Sequence, residues 1–192
     1  MKRVRVEQKK RIFDDFFKVD EALVRYEKFD GQMSESVRRL NFERGDAVAV
    51  LIFNRETRRM ILVNQFRYPT YEKGDGWIVE VVAGILGKGE APEEAVRREV
   101  LEETGYRVGE VISIFTFYPS PGGSSERIFL YYAEVENSDR VSGGGGLSSE
   151  HEDIEVMDYS LSEIRGALEN KKIIDAKTII ALMWFEKNTR FT

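Results

Sequence analysis

Between Gly84 and Tyr106 the chain reads GILGKGEAPEEAVRREVLEETGY. A helix over Glu90–Thr104, at about 100° per residue, puts Val100 about 40° to one side of Val96. On the other side Glu103 falls at about 20°, Glu99 at about 60° and Glu102 at about 120°. Three acids therefore run along the border of an apolar stripe, and docking that stripe on a sheet draws them to the edge of the core. Acids one turn apart repel, and acids in the last turns oppose the helix dipole. One compensation is internal: Arg98 can pair with part of the cluster, and Glu94 can reach it at i,i+4. The other is a hard divalent cation, Mg²⁺ or Mn²⁺, which convergent carboxylates suit. A solvated charged face held by ordinary salt bridges is the competing reading. The glycines ahead of the helix favour the cation, because backbone there can fold closely over an ion and offer the carbonyl of Ala83 or Gly84.

The elements that must position these residues can be read outward from them. Pro92 suits the first helical turn and Gly105 the stop. Trp77–Ala83 (WIVEVVA) reads as one buried strand interrupted by a single charge, Glu80. Gly84–Gly89 reads as too rich in glycine for regular structure. Ala47–Phe53 and Met60–Phe66 read as a hairpin around Asn54–Arg59, and Asp30 with Gly31 marks an earlier hairpin turn followed by Val37–Phe42. Residues 106–118 and 127–135 are rich in strand formers. Ser142–Glu150 (SGGGGLSSE) reads as a mobile internal loop, since too few residues follow for another ordinary domain. Ile154–Tyr159 is a strand, Ser160 and Glu163 form a capping box, and Asp175 can cap a last helix over Thr178–Trp184. The first dozen residues, carrying Lys2, Arg3, Arg5, Lys9, Lys10 and Arg11, read as a solvated, partly mobile terminus.

Composition narrows the chemistry. The 192 residues include no cysteine and a single histidine, His151. That removes disulfides, thiol nucleophiles and thiolate metal sites, and any imidazole cluster within one chain. Lys and Arg total 29 against 34 Asp and Glu, a net charge of -5. Nucleic-acid partners prefer a basic surplus, so none is expected. No apolar run approaches the ~20 residues of a membrane span, and no secretory signal is visible, so a cytoplasmic location is expected.

The stretch from Gly84 to Tyr106 resembles the signature of the Nudix hydrolases, through Gly84, Glu90, Arg98, Glu99, Val100, Glu102, Glu103, Gly105 and Tyr106. Only Tyr106, aromatic where an aliphatic residue is usual, departs slightly. The resemblance implies an α/β (α+β) Nudix fold: an α/β/α sandwich on a mixed β-sheet, with an N-terminal antiparallel β appendage. It implies two regions, 1–45 for dimerisation and base binding and 46–192 as the catalytic domain. It implies Mg²⁺, with Mn²⁺ as an alternative, on Glu99, Glu102, Glu103 and the carbonyl of Ala83. Arg98 would orient those acids and Glu90 would be structural.

Beyond the signature the chain is similar to the dimeric bacterial ADP-ribose pyrophosphatases. The shared residues include Phe16, Phe17 and Asp20, Val37–Arg39, Gln65–Arg67 and Ser120–Gly123. The glycine run with Glu152–Val156, and Asp175, Lys177 and Thr178, look equally like the relative that hydrolyses GDP-mannose. The implied reaction cuts the pyrophosphate of a nucleoside diphosphate-sugar, giving AMP and ribose 5-phosphate from ADP-ribose first, GMP and mannose 1-phosphate from GDP-mannose second. A nucleotide-sugar-binding module without catalysis is the rival of another class, although no signature acid is lost. The same resemblance implies a general base at Glu150 or Glu152, substrate contacts by Arg39 and Arg67, base stacking by Phe16, and a homodimer. Several readings stay open: Phe16 in a core, Arg67 as a surface arginine, and Glu80 on substrate or metal against Glu80 paired with an arginine. His151, in a polar loop between acids, reads as solvent-exposed.

Overall fold

The computed structural model describes residues 2–188. Residues 1 and 189–192, which fall within the expected ranges 1–45 and 46–192, lie outside the described residues. The chain divides into two compact units, Met1–Asp46 with Tyr118–Arg127, and Ala47–Phe117 with Ile128–Thr192.

The larger unit is built around β4 (Ala47–Asn54), which is buried on both faces. Alternation sends Val48, Val50 and Ile52 to one face and Ala47, Ala49 and Leu51 to the other. Around it lie β5 (Arg59–Phe66), β6 (Trp77–Glu80), β7 (Val82–Ile85), β8 (Val111–Phe117), β9 (Ile128–Val135) and β10 (Glu155–Ser160). The main path runs β10-β5-β4-β9-β8, with β6 on β5 and β7 on β4. β4 and β9 are parallel and the other pairs antiparallel, so the sheet is mixed. One face takes α2 (Pro92–Thr104) through Ala95, Val96 and Val100. The other takes α3 (Leu161–Glu169) and α4 (Ala176–Asn188) through Ile164, Ala181, Leu182 and Phe185. A single-turn helix, α1 (Tyr68–Tyr71), joins β5 to β6. This is the expected α/β/α sandwich. The capping box of α3 is formed on both sides, Glu163 N donating to Ser160 Oγ at 3.2 Å and Ser160 N to Glu163 Oε2 at 2.7 Å.

The smaller unit is an antiparallel sheet of β1 (Val4–Asp14), β2 (Lys18–Tyr26) and β3 (Val37–Glu43), in that order. Tyr118–Arg127 joins it through backbone and side-chain bonds: Phe42 N to Gly123 O at 2.8 Å, Asn41 Nδ2 to Ser125 Oγ at 3.0 Å, and Arg127 to Asp46 at 2.6 Å. The basic start of the chain is solvated, as expected, but it is a strand rather than a loose terminus. β1 pairs along its length with β2, and Arg11 and Lys9 both reach Asp20, at 2.9 and 3.1 Å. Those cross-strand ion pairs supply what its exposed side chains cannot supply by burial.

Two further expectations need correction. Trp77–Ala83 is not one strand: it breaks at Val81, so that β6 pairs with β5 (Val63↔Glu80) and β7 with β4 (Ala49↔Ala83). The Val81 N–H released by the break donates to Thr178 Oγ1 at 2.8 Å. Gly84, expected in irregular backbone, lies in β7 opposite Val48. Among the described residues, no helix is long and apolar enough to cross a membrane.

Candidate active site

α2 presents the signature acids. Pro92 opens it, and Gly105 closes it in the left-handed region at φ 76°. Docking Ala95, Val96 and Val100 on the sheet carries the acids further inward than the border position expected from the helical wheel. Glu103 is 2% exposed and Glu99 9%, while Glu102 stays half-buried. Glu103 Oε2 is buried with no hydrogen-bond partner among the described residues. Burial, aided by the carboxylates of Glu99, Glu80 and Glu152, raises the Glu103 pKa well above the usual carboxylate range. Burial also raises that of Glu99, against the pull of Arg98.

Arg98 is the hub of the cluster. Its Nε and Nη2 clasp the two oxygens of Glu90 at 2.9 and 3.1 Å. Its Nη1 reaches Glu99 Oε1 at 2.8 Å and Glu102 Oε2 at 3.1 Å. Glu90 also accepts Gly87 N at 2.9 Å, which ties the glycine turn to the helix. The hydrogen bonds to Glu90 hold the guanidinium charged, and lower the pKa of Glu90 in turn. Glu90 rather than Glu94 is thus the acid that clasps Arg98.

Ala83 lies on β7 beside Gly84, and Gly84 is where the acids meet the sheet. A Cβ at residue 84 would fall on the Glu99 carboxylate, so only glycine lets that carboxylate lie against the strand. On the preceding strand, β6, Glu80 is 3% exposed and pairs with two cations. Arg67 Nε donates to its Oε1 at 2.8 Å and Lys177 Nζ to its Oε2 at 2.9 Å. Lys177 also reaches Asp175 Oδ1 at 2.8 Å, while Asp175 Oδ2 accepts from Thr178 N and Oγ1 at 2.9 and 2.7 Å. Asp175 therefore caps α4, as expected. Burial works against the charge on Lys177, but Glu80 and Asp175 outweigh it and leave its pKa raised. The contact of Lys177 with Glu80 was not foreseen. The signal was present: a lone carboxylate in a buried strand calls for cations, and α4 carries one.

The segment expected to be a mobile loop is irregular backbone that hydrogen-bonds to the end of α2. Gly145 N donates to Glu103 O at 2.8 Å and Gly146 N to Glu102 O at 3.1 Å. The 3₁₀ turn Ser148–Glu150 follows. Glu150 is exposed, and so is His151, at φ 58°. Glu152 is half-buried, accepts Leu147 N at 2.9 Å, and stands in the electrostatic field of Glu99 and Glu103. In the smaller unit, Phe16 is 72% exposed with its ring 4.8 Å from that of Phe17, which removes the core reading. Arg39 is exposed on β3 and donates to Arg38 O at 3.0 Å.

Among the described residues, no three acids stand grouped closely enough to hold an ion as they are. The donor set nevertheless fits a hard divalent cation. It is all oxygen, Glu103 Oε2 is buried and unpartnered, and Arg98 engages only one oxygen each of Glu99 and Glu102.

A NUDIX domain model matches residues 43–180. The GDP-mannose pyrophosphatase of Pectobacterium atrosepticum is 38% identical over 188 residues, covering 94% of this chain and 95% of that protein. That of Cronobacter sakazakii is 41% identical over 155 residues, covering 80% and 79%. A crystal structure of ADP compounds hydrolase superposes with a TM-score of 0.71 at 18% identity, over 96% of this chain and 92% of that one, a likeness of fold. The chain belongs to the Nudix family of hydrolases.

Proposed function

We propose that this protein hydrolyses the pyrophosphate link of a nucleoside diphosphate-sugar with a divalent ion, Mg²⁺ before Mn²⁺, held by Glu99, Glu102, Glu103 and the Ala83 carbonyl. The observation that carries the reading is Glu103: a buried acid with an unpartnered oxygen, beside two more carboxylates and a glycine-cleared strand. GDP-mannose, giving GMP and mannose 1-phosphate, is placed ahead of ADP-ribose because the relatives above are named for it. The similarity of Phe16, Arg39 and Gln65–Arg67 to the ADP-ribose group keeps ADP-ribose as the second reading. A binding module without catalysis is disfavoured by the complete set of acids.

When bound, the ion neutralises the diphosphate and lowers the pKa of water. Glu152 takes the proton of the attacking water as that water's oxygen bonds to one phosphorus and the bridging P–O bond breaks. It is preferred to Glu150 because it is half-buried and faces Glu99 and Glu103 electrostatically, whereas Glu150 is exposed. Arg67, held at Nε by Glu80, keeps its terminal nitrogens for phosphate oxygens. Arg98 orients Glu99 and Glu102, and Arg39 and Phe16 serve the ribose and base from region 1–45, with 46–192 as the catalytic domain. A cytoplasmic homodimer is the form proposed; exposed Val4, Val6, Phe13 and Leu40 of the N-terminal sheet support pairing with a second copy.

The test is a panel of GDP-mannose, ADP-ribose and ADP-glucose with Mg²⁺ in heavy-oxygen water, read by mass. A nucleoside monophosphate and a sugar phosphate, one of them labelled, are expected. Tight binding with no turnover across the panel would return the binding-module reading.

A further inference from the structure

We propose that Gly144–Gly146 is a positioning strap that, continuing into Leu147, fixes Glu152 to the last turn of α2 through backbone N–H donors. The inference rests on the hydrolase reading above for the role of Glu152, and on hydrogen bonds for the strap itself. A helix leaves its last carbonyls without intrahelical partners. Here the carbonyls of Glu102 and Glu103 are taken by Gly146 N and Gly145 N, and that of Gly105 by Val141 N at 2.8 Å. The same segment turns outward to the acidic loop. Ile154 N donates to Gly145 O at 3.2 Å, Leu147 N to Glu152 Oε2 at 2.9 Å, and Glu152 N to Leu147 O at 3.3 Å. A short run of backbone thus joins the peptide units of Glu102 and Glu103 to the Glu152 carboxylate.

Backbone N–H donors, rather than contacts among Glu99, Glu103 and Glu152, make this tether. The strap places N–H donors on the negative end of the α2 dipole, where donors are favoured. Its path needs glycine. Residues 144, 145 and 146 have φ of 69°, 102° and 82° in succession, a region L side chains rarely enter. A Cβ at 144 would stand 2.5 Å from Glu103 O, and one at 146 would stand 2.6 Å from Glu152 Oε2 and 2.7 Å from its Cβ. Gly143 has open space and no such φ, so it provides the control.

The experiment combines amide hydrogen exchange with steady-state kinetics on the full chain. In the wild type, the Gly145 and Gly146 amides should exchange at least a hundredfold more slowly than in unstructured chain. Gly146→Ala should lose that protection and lower kcat by about a hundredfold, the scale of an ångström-sized misplacement, with KM within threefold. Gly145→Ala, which meets only the φ penalty, should lie between, and it carries the comparison if Gly146→Ala does not fold. Gly143→Ala should match the wild type in both readouts. Unprotected amides in an active wild type, or a wild-type kcat in both Gly145→Ala and Gly146→Ala, would overturn the strap. Protected amides in a wild type with no turnover would keep the strap and fail the hydrolase reading.

Discussion

Glu103 is carried into the fold at a cost that removal of its charge should relieve. Its Oε2 has no hydrogen-bond partner among the described residues, and the charges facing it, Glu99, Glu80 and Glu152, are mostly of its own sign, with Arg67 the weakest influence. At pH 7 that cost is capped by the cost of protonating the group. From the ordinary value of 4.5 the cap is about 3.5 kcal/mol, at about 1.4 kcal/mol per pH unit. Glu103→Gln should therefore stabilise the metal-free protein by about 1–3 kcal/mol, or roughly 2–10 °C in Tm for a chain of this size. The sign with pH follows from the raised pKa. The folded state binds the proton more tightly than the unfolded state, so this contribution is full below 4.5 and is lost as pH rises through the folded value. Metal-free wild type should lose stability relative to Glu103→Gln as pH rises across that window, and Mg²⁺ should raise the Tm of wild type more than that of the variant. Thermal melts in chelator and in Mg²⁺, from pH 4 to 8, read all of this. A variant less stable than wild type in chelator at pH 7 would refute the reasoning.

Three other perturbations probe the surrounding supports. Arg98→Lys keeps a charge but loses the fork that clasps Glu90 while reaching Glu99 and Glu102; activity and divalent-ion affinity should fall about 10–100-fold, as a Mg²⁺ titration of initial rates would show. Lys177→Met leaves buried Glu80 with Arg67 alone and should cost about 3 kcal/mol or more in urea unfolding, whereas a surface ion pair would cost under about 1 kcal/mol. Gly84→Ala places a methyl group on the Glu99 carboxylate and should lower kcat/KM by at least about a hundredfold with little loss of helicity by circular dichroism.

Much of the larger unit was legible because its signals are local. The short apolar runs AVAVLIF and MILVNQF, the capping box at Ser160 and the proline-to-glycine span of α2 each specify an element within a few residues. The acids of α2 were legible by type and spacing, but their depth was not, since docking of Ala95, Val96 and Val100 decides how far Glu103 is pulled in. What escaped the sequence was pairing between distant segments. The break at Val81 depends on two different partner strands and on Thr178, almost a hundred residues away. The tether of the glycine run depends on the free carbonyls of α2, and a glycine-rich string by itself reads as loose chain. β1 escaped for the same reason: its exposed, basic residues look like a free terminus until β2 supplies Asp20 opposite them.

The central claim, that Glu99, Glu102 and Glu103 capture a divalent ion where the pyrophosphate is cut, is tested most directly by Mg²⁺-dependent turnover of GDP-mannose and ADP-ribose in wild type and Glu103→Gln. The account predicts a nucleoside monophosphate and a sugar phosphate from wild type only with Mg²⁺, and a loss of about a thousandfold or more in a variant that melts at or above the wild-type temperature in chelator. Full Mg²⁺-dependent activity in Glu103→Gln would contradict it.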